Sequence, residues 1–435
     1  MTSAPDVAGI PVDFILFALT LAGVALFHHH TLRVALFGLV GITLYKLMFS
    51  HFGGVPGVPG LLALLGHEWV TVANLFGLLL GFALLSRHFE ESRLPALLPR
   101  YLPDDWKGGF TMLIVVFVLS SFLDNIAAAM IGGSMATVLF KGQLHIGFLA
   151  AIVAASNAGG SGSVLGDTTT TMMWIAGVPP LQVLGAYTAA APALLFFAVF
   201  AARQQHAFQP ITKDAPAGIR VDGSRLAIVL TILLAAIGAN VYFNLHQPEV
   251  LAQVPVIGLA VWLAILLTGS IRRPDWSVLP GATRGSVFLL SLVLCASMMP
   301  VEHLPGAAWQ TAFGLGFVSA VFDNIPLTAL ALHQGGYDWG FLAYAVGFGG
   351  SMIWFGSSAG VALAGMFPQA RSVGAWVTGG WHVAVGYLIG FACLLFTLGW
   401  HPDAARRQTP STNTTAPAPA AAAPATPATP TESKP

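Results

Sequence analysis

Charge is what this chain has least of. Only 8% of its 435 residues are Asp, Glu, Lys or Arg, where an ordinary soluble domain carries about a quarter, and the 18 basic and 18 acidic side chains cancel. A balanced charge leaves no electrostatic footprint for a nucleic acid. Hydrophobic residues make up 56% of the chain and mean hydropathy is +0.76, which excludes a water-facing globule and indicates a polytopic membrane protein. Cysteine is nearly absent too. Cys295 and Cys393 lie far apart in apolar segments and read as small core residues, not as a disulfide. The N-terminus lacks the basic region and small-residue cleavage site of a signal peptide, so residues 13–27 are expected to remain as a first span. Aromatic residues are missing from "TPSTNTTAPAPAAAAPATPATPTESKP", which predicts a disordered Pro/Ala/Thr-rich tail over 402–435.

What is present is a series of apolar runs. A membrane helix needs about 20 such residues, and candidate spans lie near 11–27, 33–50, 69–86, 145–177, 181–203, 226–246, 254–270, 285–303, 339–367 and 373–400. Two further stretches, 109–141 and 308–336, each break at a central acidic pair: "SSFLDNIAAAM" (120–130) and "SAVFDNIPLTAL" (319–330). Basic residues decide how to place them. Arg87, Arg93, Arg100 and Lys107 share one loop; Arg203, Lys213, Arg220 and Arg225 share another; Arg272, Arg273, Arg284 and Arg371 mark two more. Segments 51–68, 178–184 and 247–253 have no Lys or Arg. If the basic loops are cytoplasmic, the first acidic stretch enters and leaves from the cytoplasm and the second from outside. Both termini then lie outside. The expected fold is an all-α polytopic membrane protein with about ten transmembrane helices and two re-entrant helical hairpins.

The two hairpins are followed by matching segments, "NAGGSGSVLGDTTTTMMW" (157–174) and "GFGGSMIWFGSSAGVALAG" (347–365). Gly159, Gly160, Ser161 and Gly166 align without a gap to Gly349, Gly350, Ser351 and Gly356, and the glycines are read as helix breaks. This predicts a first inverted repeat over 1–203 (hairpin 109–141, interrupted helix 145–177) and a cytoplasmic linker over 204–225. A second repeat follows over 226–401 (hairpin 308–336, interrupted helix 339–367), and then the tail. One glycine cluster would be explained by close helix packing. Two, each after an acidic hairpin in an inverted-topology repeat, point to a secondary transporter with a midplane site.

Three carboxylates sit deep in apolar segments: Asp124, Asp167 and Asp323. Each costs at least about 2.5–3.5 kcal/mol at the bilayer centre. No lysine or arginine lies deep beside them; Lys46 falls near the end of the second span and Lys141 at a hairpin mouth. A carboxylate without a basic partner must protonate or hold a cation, and competition between the two occupants produces exchange. A hard monovalent cation takes oxygen ligands. A Na+ site is therefore expected at Asp124, Asp167 and Asp323. Thr168 and Thr169 are ligand candidates, and Asn125, Asn157, Asn324 and Ser351 join the set as ligands or as groups that fix the carboxylates. Thr170 and Thr171 are expected to bond back to carbonyls one turn earlier. "HHH" (28–30) reads as a hydrated loop cluster or a pH sensor, and His382 as core packing or a proton relay.

With those residues in view, "SSFLDNIAAAM", "NAGGSGSVLGDTTTTMMW", "SAVFDNIPLTA" and "GGSMIWFGSSAGVA" resemble the NhaD-type sodium/proton antiporters of the ion transporter superfamily, which also holds citrate, dicarboxylate and arsenite permeases. The resemblance implies exchange of Na+ or Li+ for H+ with Asp124, Asp167 and Asp323 as family-type positions and no cofactor. It also implies an inner-membrane homodimer with scaffold and moving portions. The first hairpin departs in "IAAAM", where the family pattern has threonines. A Na+- or H+-coupled citrate or dicarboxylate carrier is the alternative, with the anion held at hairpin helix N-termini; three acids and no deep base favour the cation. No enzyme is expected. An intramembrane aspartyl protease would carry Gly-x-Gly-Asp, and here Val164 precedes "LGD".

Overall fold

Inside a bilayer every backbone amide must find its partner within the protein, and helices achieve this segment by segment. The computed structural model describes residues 6–7, 9–27, 30–212 and 220–403. His28 and His29 of the histidine cluster, 213–219 of the expected linker and the tail from 404 lie outside the described residues. Apart from two tiny hairpins (6–7 with 10–11, 51–52 with 55–56), regular structure among the described residues is helical.

In chain order the principal helices are α1 (Val12–Leu26), α2 (Thr31–Phe49), α3 (Gly57–Glu91), α4 (Trp106–Ser120), α5 (Asn125–Leu139), α6 (Ile146–Ser161), α7 (Thr168–Ile175) and α8 (Tyr187–Phe208). They continue as α9 (Gly223–His246), α10 (Val256–Thr268), α11 (Leu279–Ser297), α12 (Trp309–Ser319), α13 (Asn324–Gln334), α14 (Trp339–Gly349), α15 (Ser358–Met366), α16 (Val373–Gly379) and α17 (Trp381–Thr397). Among the described residues five helical segments are long and apolar enough to cross a membrane, or six if α16 and α17, bent by 59°, form one span. The protein is an all-α membrane protein.

The third span departs from expectation. It was expected over 69–86, but α3 runs for 35 residues from Gly57. That is about 52 Å at 1.5 Å per residue, well beyond a 30 Å hydrocarbon core. Pro59 does not prevent the early start, because a first-turn proline removes only an N–H that has no helical partner.

The acidic stretches form helix–break–helix units, α4–α5 and α12–α13, whose ends come together. At the first unit, Thr212 N donates to Leu139 O at 2.9 Å, while Gly108 near the start of α4 packs on Ile211 next door. At the second, Gln334 Nε2 donates to Pro305 O at 2.7 Å. The glycine-rich segments form two helices each, separated at 162–167 (α6/α7) and at 350–357 (α14/α15). The first turn of α6 lies on Gly379, beyond α15, and the first turn of α14 lies on Gln182, beyond α7. The two broken helices therefore run in opposite directions. Both are fully enclosed: every residue of Gly147–Ser161 and of Trp339–Gly349 is buried.

Two further carboxylates are buried, so the expectation of only three deep acids is corrected. Asp13, in the first turn of α1, meets Lys46, in the last turn of α2, at 3.0 Å, and neither side chain is more than 4% exposed. Lys46 thus lies buried and paired, not merely near a span end. Terminal turns look like surface in a sequence, but antiparallel α1 and α2 bring these two side by side. Glu68 of α3 is the other, 3.9 Å from His333 Nε2 of α13.

Candidate functional site

Each helix that restarts at a break begins with a side-chain cap. Asp124 accepts from Ile126 N (3.2 Å), Asp167 from Thr169 N (3.3 Å), Asp323 from Ile325 N (3.0 Å) and Ser357 from Gly360 N (3.3 Å). A helix start leaves amide protons unpaired. Without water at hand, Asp and Ser are the residues that satisfy them. The positive end of the helix dipole also offsets part of the cost of the three carboxylates.

The helix–break–helix units are fixed to the broken helices in the same way twice. Ser120 Oγ donates to Ser156 O (2.6 Å), and Ser319 Oγ to Val346 O (2.7 Å). A Cβ on Gly159 would sit 2.1 Å from the Phe117 carbonyl oxygen, and one on Gly349 2.2 Å from that of Gly316. Only glycine permits this approach, which is what the sequence-level alignment of Gly159, Gly160 and Gly166 with Gly349, Gly350 and Gly356 marks.

At the crossing, polar side chains join the halves. Asn125 Nδ2 donates to Asn157 Oδ1 (3.1 Å), and Asn157 Nδ2 reaches Ser351 Oγ and Ser357 Oγ, both at 3.0 Å. Asn324 Nδ2 donates to Asp167 Oδ2 at 3.3 Å. Asp323 is half-buried and accepts from Ser358 Oγ at 3.0 Å.

Asp124 and Asp167 line one small cavity with Thr168 and Thr171, walled by Leu165 and by Leu75, Leu78, Leu79 and Phe82 of α3. Its volume is about 10 Å³, room for roughly one water-sized occupant. Asp167 is 2% exposed and Thr168 9%. Thr169 Oγ1 is buried without a hydrogen bond of normal geometry. Thr170 Oγ1 donates to Ser163 O (2.6 Å) and Asp167 O (2.9 Å), and Thr171 Oγ1 to Val164 O (2.9 Å) and Asp167 O (3.0 Å), so both back-bond and hold the break closed.

Among the described residues no three His, Cys, Asp or Glu side chains come close enough to hold one ion. Asp124 and Asp167 line one cavity, while Asp323 accepts from Ser358 Oγ. Ser357 and Ser358 were missed in the sequence, although continuing the glycine register sets them opposite Asp167 and Thr168. His382 meets Gln204 Oε1 of α8 at 3.1 Å, away from the cavity.

No protein-family model matches the chain. Individual proteins do. Sodium/proton antiporter 1 of Arabidopsis thaliana is 27% identical over 335 residues, 68% of this chain and 55% of its own length. The Na(+)/H(+) antiporter NhaD of Alkalimonas amylolytica is 26% identical over 61% of this chain and 63% of its own length; NhaD of Vibrio cholerae is 25% identical over 69% and 73%. The chain is similar to NhaD-type sodium/proton antiporters at 25–27% identity. It spans just over half the length of the first plant relative. That likeness accords with an apolar, helical chain in which Asp124, Asp167 and Asp323 cap helices that restart at breaks.

Proposed function

We propose that this chain exchanges Na+ or Li+ for H+ across a bacterial-type inner membrane at the cavity between Asp124 and Asp167. One observation carries the proposal: Asp124, Asp167, Thr168 and Thr171 line a space for a single small occupant, with no basic side chain in its lining. Two carboxylates facing one dry space cannot both stay ionised without compensation. Either a proton or a hard cation supplies it. A cation entering as the proton leaves, and the reverse on the other side, is exchange. Thr168 and Thr169 would add hydroxyl oxygens, and Asn324 would hold Asp167 in place. Asn125, Asn157 and Ser351 would tie that arrangement to the opposite half.

The same proposal takes α4–α5 and α12–α13 as re-entrant hairpins within about ten spans, in inverted halves 1–203 and 226–401. Both termini lie outside and the basic loops inside. The meeting ends of each hairpin and the opposed broken helices support this architecture, and alternating access would follow from one bundle rocking about the crossing. The homodimer implied by the family resemblance belongs to this proposal as well. Nothing in the site favours a citrate carrier, since an anion would face carboxylates at both hairpin tips.

Proteoliposomes with a trapped pH dye test it. Na+ or Li+ should collapse an imposed proton gradient, and Asp124→Asn and Asp167→Asn should abolish the response. Accumulation of labelled citrate with no cation-driven proton flux would overturn the antiporter.

A further inference from the structure

Away from the ion cavity, a space of about 650 Å³ opens where the end of α3, the start of α9 and the segment after α10 meet. Glu91, Arg93, Arg220, Asp222, Arg225 and Arg272 line it. Four guanidinium groups thus face two carboxylates, and both carboxylates are already committed. Glu91 takes Arg225 at 2.5 Å and Arg87 at 3.3 Å. Asp222 takes Arg272 at 3.1 Å and caps α9 through Ser224 N. The Ser224 hydroxyl first, with Arg225 N and Arg272, holds the Asp222 carboxyl down at about 2, so it stays ionised and Arg272 stays engaged.

Arg93 and Arg220 are different. Both are exposed, and among the described residues neither is paired with an acid. Arg93 sits at φ +62°, a left-handed conformation that a long side chain rarely holds. Its position is built: the preceding Ser92 is fully buried, donates to Phe89 O at 2.6 Å and accepts from Asp222 N at 2.9 Å. Two guanidinium groups with no acid partner among the described residues therefore line a cavity of small-molecule size.

We propose that this cavity binds a phosphate-bearing anion, supplied in the membrane as the headgroup of an acidic phospholipid. Guanidinium groups pair with phosphate oxygens in bidentate fashion. Leu230 and Leu234 of α9, Leu267 of α10 and Ile271 just after it are exposed by 57%, 58%, 67% and 61%, a surface suited to acyl chains. Basic pockets between membrane helices at the bilayer surface hold such headgroups. Because α3, α9 and α10 pack on one another, a bound headgroup would staple their ends. The inference is independent of which ion is exchanged.

The test uses the full chain in zwitterionic detergent, with binding read by native mass spectrometry. Phosphatidylglycerol is titrated beside diacylglycerol, which lacks the phosphate, and glycerol 3-phosphate, which lacks the tails. Phosphatidylglycerol should bind and diacylglycerol should not. The exposed pair Arg93→Gln with Arg220→Gln should weaken binding about tenfold or more, as expected for lost charge-assisted bonds. The same charge change at Arg100→Gln with Arg273→Gln, outside the cavity, should not. Glycerol 3-phosphate binding as tightly as the lipid would support the phosphate site but make its source soluble. Equal phosphatidylglycerol binding by wild type and the Arg93/Arg220 variant, or equal loss in the control pair, would overturn the proposal.

Discussion

The two halves of this molecule share a framework and differ in charge. Serine bonds from hairpin to broken helix, glycine approaches and break positions recur with the same register in both. Yet where the first half has Asp167, Thr168 and Asn157, the second has Ser357, Ser358 and Gly347. The outcome is a cavity beside Asp124 in one half and a closed hydrogen bond from Ser358 to Asp323 in the other. Among the described residues, every buried acid and the one buried lysine, Asp13, Lys46, Glu68 and Asp167, also lie in the first half.

The strongest way to break this comparison is to move the acid. Asp167→Ser keeps a good cap on α7 but removes a carboxylate from the cavity. Na+-driven proton flux in proteoliposomes should fall at least about 100-fold, as for loss of a charged partner worth about 3 kcal/mol. Adding Ser357→Asp should not restore it, because Thr168, Asn324 and the α3 wall serve the first half only. Recovery in the double variant would mean that the halves are interchangeable.

The buried ion pair is a first-half feature of another kind. Lys46→Met leaves Asp13 without its cation and should cost about 3–5 kcal/mol of stability, whereas Asp13→Leu with Lys46→Met should recover most of that loss. Thermal unfolding in detergent reads both. Equal loss in the single and double variants would show that the pair's charge balance is not what matters there.

The shared framework predicts equal responses. Gly159→Ala and Gly349→Ala each push a methyl group against a carbonyl oxygen, at 2.1 and 2.2 Å before relaxation. Each should lower stability by about 1–3 kcal/mol, the usual cost of overpacking. A clear difference between their unfolding temperatures would expose an asymmetry in packing beyond the asymmetry in charge.

How far the sequence foretold this follows from what each residue costs. Asp124, Asp167 and Asp323 stood out because a carboxylate in an apolar run is expensive, and repeated glycines fixed the register of the breaks. Ser357 and Ser358 carried no such signal, since serine is cheap in a membrane helix. Spacing placed all three aspartates at breaks, but which helix each would face depends on how two broken helices cross. That is why spacing alone did not show that Asp124 and Asp167 line one cavity or that Asp323 accepts from Ser358. The α3 wall was unreadable for the same reason: an apolar face does not name its neighbour. Asp13 and Lys46 were passed over because terminal turns resemble surface.

The smallest expected effect is the sharpest test of the difference between the tips. Ser358→Ala removes the hydroxyl that Asp323 accepts from, while Thr168→Ala removes the hydroxyl at the matching position beside Asp124. If the ion sits in the first half, Thr168→Ala should raise the Na+ concentration for half-maximal exchange by about tenfold, the value of one hydrogen bond to a charged group. Ser358→Ala should shift it only a few-fold, through Asp323 and the α13 cap that Asp323 provides. Equal shifts from both substitutions would place the cation between the tips, shared by the two halves, and the difference in charge between them would then have to serve the proton alone.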